Sequence, residues 1–167
     1  MKALFPGSFD PVTNGHLDII RRASVVFEEV VVGVHQSPGK LVMFSADERL
    51  AMMADAIEGI PRVTAVGYDG LTATYARQID AGVLVRGLRA LSDFEYEFAL
   101  AAMNRGIDPG LETVCLVTSS DHTFISSSII REIASHGQPV DKWVPPNVVR
   151  KLHAKLDSVQ QGSSQRE

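Results

Sequence analysis

The chain has 167 residues, 45% of them hydrophobic and 22% charged, and a formal net charge of −4. That length suits one domain burying roughly two-thirds of its unfolded surface in a single core. The negative balance speaks against general adhesion to nucleic acid or an anionic membrane, the single Cys115 excludes a disulfide scaffold or cysteine–zinc centre, and no run of about 18 apolar residues could span a bilayer.

In chain order, Ala3–Phe5 is a strand-like apolar run. The stretch from Met1 breaks at Pro6-Gly7, too early for a signal peptide, so a cytoplasmic protein is expected. The turn that follows, Gly7 to His16, carries more glycines and small polar groups than a turn needs. Leu17, Ile20, Ala23 and Phe27 recur at helical spacing and predict a first helix opening near His16. Val30–Val34 predicts a second strand, and Lys40 lies in the loop after it. Ser45-Ala46-Asp47-Glu48 forms a capping box, because serine and glutamate can satisfy the first free amides of a helix running to Ile57.

Val63–Val66 and Val83–Val85 predict two further strands, the latter running straight into Arg86-Gly87-Leu88-Arg89. Ser92-Asp93-Phe94-Glu95 repeats the capping-box pattern before a longer helix to Asn104. Along that helix Phe94, Phe98 and Ala101 read as core, while Glu95 and Glu97 read as a solvated face. Thr113–Val117 predicts the fifth strand, with Cys115 as a buried structural thiol. A helix should start within Ser126–Ser128 and another after Pro145-Pro146. Residues 1–157 thus read as one domain and 158–167, which are polar, as a disordered tail.

Short β-branched runs alternating with helical patterns predict an α/β fold: a single-domain, Rossmann-like, doubly wound parallel sheet of five strands with helices on both faces. In such a sheet ligands bind beyond the carboxyl ends of the strands. The opening turn, the Lys40 loop, Arg86–Arg89 and Thr123–Ser128 all follow strands, so they converge on one rim. Their chemistry suits a nucleotide phosphate chain. Gly7 and Gly15 let amides approach an oxyanion, helix starts at His16 and Ser126–Ser128 offer free N–H groups, and Arg86, Arg89 and Lys40 supply positive charge. Taken singly each piece has a plainer reading: a capping histidine, surface arginines, a helix-starting serine triplet, a loop lysine. The Walker pattern, GxGxxG and GxSxG are absent, and no histidine pair has metal-ligand spacing.

Thr13-Asn14-Gly15-His16 matches a T/HxGH signature and Ile125-Ser126-Ser127-Ser128 an ISSS-type segment, so the chain resembles the nucleotidylyltransferase superfamily. "PGSFDPVTNGH", "RGLRALSDFEYE" (Arg86 to Glu97) and "MNR" (Met103 to Arg105) narrow the resemblance to the phosphopantetheine adenylyltransferases, over Lys2 to Leu156. The resemblance implies transfer of AMP from ATP to 4′-phosphopantetheine, giving dephospho-coenzyme A and pyrophosphate, with Mg²⁺ accompanying the nucleotide. By motif position Ser8, Lys40, Thr72 and Arg86 would contact phosphopantetheine. Ser8, Phe9, His16, Gly87, Leu88, Arg89, Glu97, His122, Thr123, Phe124, Ile125, Ser126, Ser127 and Ser128 would contact ATP, with His16 stabilising the transition state. It also implies a homohexamer and makes coenzyme A a candidate inhibitor. His122 stands where many members have tyrosine or tryptophan, and Leu41-Val42 where many have a basic residue or proline. Two other readings are a nucleotidylyltransferase for nicotinamide mononucleotide or glycerol phosphate, and a non-catalytic nucleotide-sensing module.

Overall fold

Five strands, β1 (Lys2–Gly7), β2 (Glu29–His35), β3 (Val63–Tyr68), β4 (Val83–Leu88) and β5 (Glu112–Val117), form one parallel sheet in the order β3-β2-β1-β4-β5. They are seen in a computed structural model that describes the backbone of residues 1–39 and 41–164, and their side chains except Leu91, Ser92 and those from Ser158 on. Each predicted strand is present and extends beyond its apolar run, since ladder pairing uses backbone groups that every non-proline residue carries.

The period of two along each strand sorts side chains between two cores. Ala3 and Phe5 of β1, Val30, Val32 and Val34 of β2, and Val83 and Val85 of β4 enter the larger one. There they meet apolar stripes from α1 (Asn14–Val26), α2 (Ala46–Ala56), α5 (Ser127–Ser135) and α6 (Pro146–Ser164). Leu4, Val31 and Leu84 point to the opposite face and pack on Ala73 and Ala76 of α3 (Thr72–Gln78). The helix α4 (Leu91–Ile107) lies beside β4 and β5 on that second face. Among the described residues, no helix is long and apolar enough to cross a membrane.

The Ser45 capping box forms as expected: Ser45 Oγ accepts from Glu48 N at 3.2 Å and Glu48 Oε2 from Ser45 N at 2.7 Å. The second expected box is displaced, because Ser92 lies inside α4 and not at its N-cap. Helix α4 begins at Leu91 with no side-chain cap, and the Asp93 carboxylate instead accepts the Arg89 backbone N–H at 3.1 Å. Placing Phe94 and Phe98 in the core is also corrected, because they are 53% and 66% exposed and face outward from α4. Cys115 is exposed too, because β5 is an edge strand that this helix covers incompletely. Helix α3 carries no start signal, its N-cap Leu71 making no side-chain bond, and burial of Ala73 and Ala76 holds it in place. The backbone of α6 stays helical past Ser158 as far as Ser164, as cooperative propagation allows in a polar segment.

Candidate active site

β1 and β4 are neighbours in space but not in sequence, and the helices after them leave to opposite faces of the sheet. That divergence opens a crevice at their carboxyl ends. Here it is a cleft of ≈ 400 Å³. The end of β1 and its turn supply Pro6–Phe9, α1 supplies Gly15 and His16, β4 supplies Arg86 and Gly87 with Arg89 just past its end, and α4 supplies Glu97. The opposite wall comes from His122, Ile125, Ser126–Ser128 and Arg131.

Two roles meet in His16. As third residue of α1, its ring completes a capping box with Thr13: Nδ1 accepts the Thr13 backbone N–H at 3.0 Å. A ring nitrogen that accepts carries no proton, so the neutral imidazole has its hydrogen on Nε2. Among the described residues Nε2 has no protein partner, and the ring lines the cleft. Burial, then the charges of Arg89 and Arg86, lower the His16 pKa from 6.5 to about 4. At neutral pH the cleft therefore presents a neutral N–H donor alongside two guanidinium groups.

Arg86 is held by a fork: Nε and Nη2 donate to the two Glu97 oxygens at 2.6 and 2.7 Å, and Nη1 to the Pro6 carbonyl at 3.0 Å. Burial opposes its charge, but the Glu97 carboxylate more than offsets that, raising the Arg86 pKa above the ordinary value. Glu97 is therefore not on a solvated face; it is 7% exposed and fixes the arginine. Arg89 is braced likewise by Asp93 at 3.1 Å and leans on the Ile125 carbonyl at 3.4 Å.

The serine triplet divides its work. Ser126 caps α5 by accepting from Ile129 N at 3.2 Å, Ser127 donates to the Pro11 carbonyl at 2.7 Å, and Ser128 pairs with Ser126 at 3.0 Å. His122 ends a short 3₁₀ turn, Ser120–His122, with Nδ1 buried and, among the described residues, without a hydrogen-bond partner. Gly7 lines the cleft, and a Cβ there would lie 2.8 Å from Phe9 Cζ, so the glycine also makes room for that ring.

A second cavity of ≈ 280 Å³ opens on the other side of Arg86. Leu71, Leu84, Leu100, Ala101, Met103 and Ile107 give it apolar walls, with Thr72, His35 and Asn104 among its polar groups. Pro6, Arg86 and Glu97 line both spaces, so the ion pair stands where a polar cleft meets an apolar one. Thr72 opens α3 and shares a 2.9 Å hydrogen bond with Tyr68 Oη. Leu88, Thr123 and Phe124 line neither space, Phe124 being 87% exposed. Lys40 lies outside the described residues. Sequence reasoning missed Arg131, which follows Ser127 by one helical turn on the same face of α5 and reaches the cleft. It also missed Asp93, whose signal was spent on a capping box.

A family model described as cytidylyltransferase-like matches residues 4–133. A curated phosphopantetheine adenylyltransferase from Nitrosomonas eutropha is 47% identical over 161 residues, covering 96% of this chain and 98% of that protein. A solved structure from Vibrio parahaemolyticus, described as a candidate nicotinate-nucleotide adenylyltransferase, superposes with a TM-score of 0.67 over 90% of this chain and 97% of its own; at 19% identity it shows a common fold. With a family model across most of its length and a relative close to half identical from end to end, the chain belongs to the phosphopantetheine adenylyltransferases, within the cytidylyltransferase-like family.

Proposed function

We propose that this protein transfers AMP from ATP to 4′-phosphopantetheine, forming dephospho-coenzyme A and releasing pyrophosphate. The observation that carries this reading is the Arg86–Glu97 pair set between a phosphate-friendly cleft and an apolar cavity. A nucleotide triphosphate suits the first space, a pantetheine arm suits the second, and the acceptor phosphate would sit between them beside Arg86, Ser8 and Lys40, with Thr72 along the arm.

An acceptor phosphate oxygen attacks the α-phosphorus. The new P–O bond forms as the bond to the β-phosphate oxygen breaks, and pyrophosphate leaves with that electron pair. The attacking oxygen is already anionic at neutral pH, so no general base or covalent nucleophile is needed. The work that remains is alignment of two anions and stabilisation of charge growing at the α-phosphoryl group. The His16 Nε2–H donates to that charge. Arg89, Arg131 and the free amides at the start of α5 hold the triphosphate. Gly87 and the segment from His122 to Ser128 flank the nucleotide.

Among the described residues, no group of three or more His, Cys, Asp or Glu side chains could hold a metal ion, and Glu97 is taken up by Arg86. Mg²⁺ would instead be held by the phosphate oxygens of the nucleotide, where it would neutralise charge on the leaving group. We place the protein in the cytoplasm as a homohexamer, an assembly that would cover the apolar side of α4 at Phe94, Phe98, Met103 and Ile107. Coenzyme A, which shares the pantetheine arm, would compete for the second cavity.

The test is a panel of phosphorylated acceptors with ATP and Mg²⁺, scored by pyrophosphate release. Turnover with 4′-phosphopantetheine and not with nicotinate mononucleotide or glycerol phosphate is expected. Preference for either of the others would overturn the reading.

A further inference from the structure

Arg49 is the largest of the fully buried side chains, 1% exposed in the second turn of α2, and it lines neither cavity. Among the described residues its guanidinium makes no hydrogen bond to a carboxylate, although the Asp10 charge acts on it and favours its charged form. Instead it donates to four main-chain carbonyls: Phe44 at 3.1 Å, Ser8 and His35 at 2.7 Å each, and Gln36 at 2.9 Å. A buried cation that spends its donors on the ends of β1 and β2 fixes where those two strands release the chain. Surface charge or simple packing needs no such arrangement.

The carbonyl of Ser8 belongs to the peptide that leads into Phe9, and Phe9 has φ 47°, a left-handed conformation that a bulky residue adopts only when its surroundings impose it. The next residue is clamped as well. The Asp10 carboxylate accepts from Met43 N and Phe44 N at 2.8 and 2.9 Å and pairs with Arg131 at 3.1 Å. Held from both sides, the Phe9 ring packs edge-on against His16, with centroids 5.1 Å apart at 82°, and against Phe5 at 5.5 Å. The contact path thus runs from Arg49 through the Ser8 carbonyl and the Phe9 ring to the His16 imidazole.

We infer that Arg49 is a positioning residue for His16: by holding the Ser8 carbonyl it keeps the Phe9 ring against the imidazole and so aims the Nε2–H at the reacting phosphoryl group. The inference rests on the role proposed above for His16. It differs from a purely structural role in one respect, since Arg49 should matter to turnover only while His16 is present.

The experiment is a double-mutant cycle of Arg49→Lys with His16→Ala, read as kcat at saturating substrates, with ATP affinity measured by calorimetry without acceptor. Lysine keeps the charge but cannot span four carbonyls with a planar fork. Expected is a kcat loss of about tenfold for Arg49→Lys, with ATP affinity within about twofold, and a further loss of no more than about twofold when the change is made in His16→Ala. Equal losses in both backgrounds, or an unchanged kcat in Arg49→Lys alone, would overturn the inference. If His16→Ala alone turned over normally, the reading of His16 itself would fail, and the two failures are distinguishable. Should Arg49→Lys not fold, the neutral Arg49→Gln, which leaves no buried charge behind, is run through the same cycle with the same outcomes.

Discussion

Thr13 donates its backbone N–H to His16 Nδ1 across 3.0 Å, and that one bond decides which imidazole nitrogen faces the cleft with a proton. A residue that caps its own helix in this way has its tautomer fixed, while the Phe9 ring packed edge-on against it helps set its orientation. Replacing His16 with alanine should lower kcat by about 10²–10³, equivalent to roughly 3–4 kcal/mol, with ATP affinity changing far less. Steady-state kinetics combined with calorimetry checks this. Normal turnover at saturation together with poor ATP binding would reassign His16 to ground-state binding.

The lowered His16 pKa makes a second prediction, about stability. Between the ordinary value of 6.5 and the folded value of about 4 the unfolded chain binds more protons than the native one, so stability rises with pH across that window. The contribution is complete above pH 6.5 and is lost as pH falls to 4, amounting to about 3 kcal/mol at most. Urea unfolding at pH 7.5 and pH 5 should show a smaller pH dependence in His16→Asn than in the parent protein. Because the cause is partly Arg89 and Arg86, bound ATP should raise the His16 pKa by screening them, measurable from the imidazole proton shifts.

Glu97 and Arg86 predict a third outcome. Glu97→Ala leaves a buried guanidinium without its fork and should cost about 3–5 kcal/mol of stability, the expense of stranding one partner of a buried pair. Arg86→Ala strands the carboxylate instead and should also weaken 4′-phosphopantetheine binding in calorimetry. Unchanged binding of the acceptor would remove Arg86 from its site.

Assembly gives a fourth. Phe98, 66% exposed on α4, should be covered if the chain forms the proposed homohexamer. Phe98→Glu should then shift the sedimentation coefficient from that of a six-chain species toward a smaller one. A parent protein sedimenting as a single chain would refute the hexamer directly.

How much of this was readable from the chain follows from what sequence patterns encode. Valine-rich runs and the Ser45 box announce β2 and α2 because those signals are local. The convergence of Ser8, His16, Arg86 and Ser127 was also legible, since each lies near or beyond the carboxyl end of a strand of a parallel sheet and topology does the rest. What a side chain does with a distant backbone was not. Nothing near Arg49 indicates that it reaches Ser8, and nothing around Glu97 says that it turns inward toward Arg86. Phe94 and Phe98 misled for a related reason: helical apolar spacing marks an apolar face without saying whether that face packs within the same chain. Cys115 fails alongside them, on the edge strand that this face leaves half open.

The central claim is that the cleft aligns two anions for direct transfer, with no covalent stop on the protein. Adenylyl transfer from a nucleotide made chiral at the α-phosphorus, such as one diastereomer of ATPαS, onto 4′-phosphopantetheine tests it most directly. A single in-line displacement predicts inversion of configuration in the dephospho-coenzyme A product. Retention would mean two displacements through an adenylylated side chain, and would contradict the account.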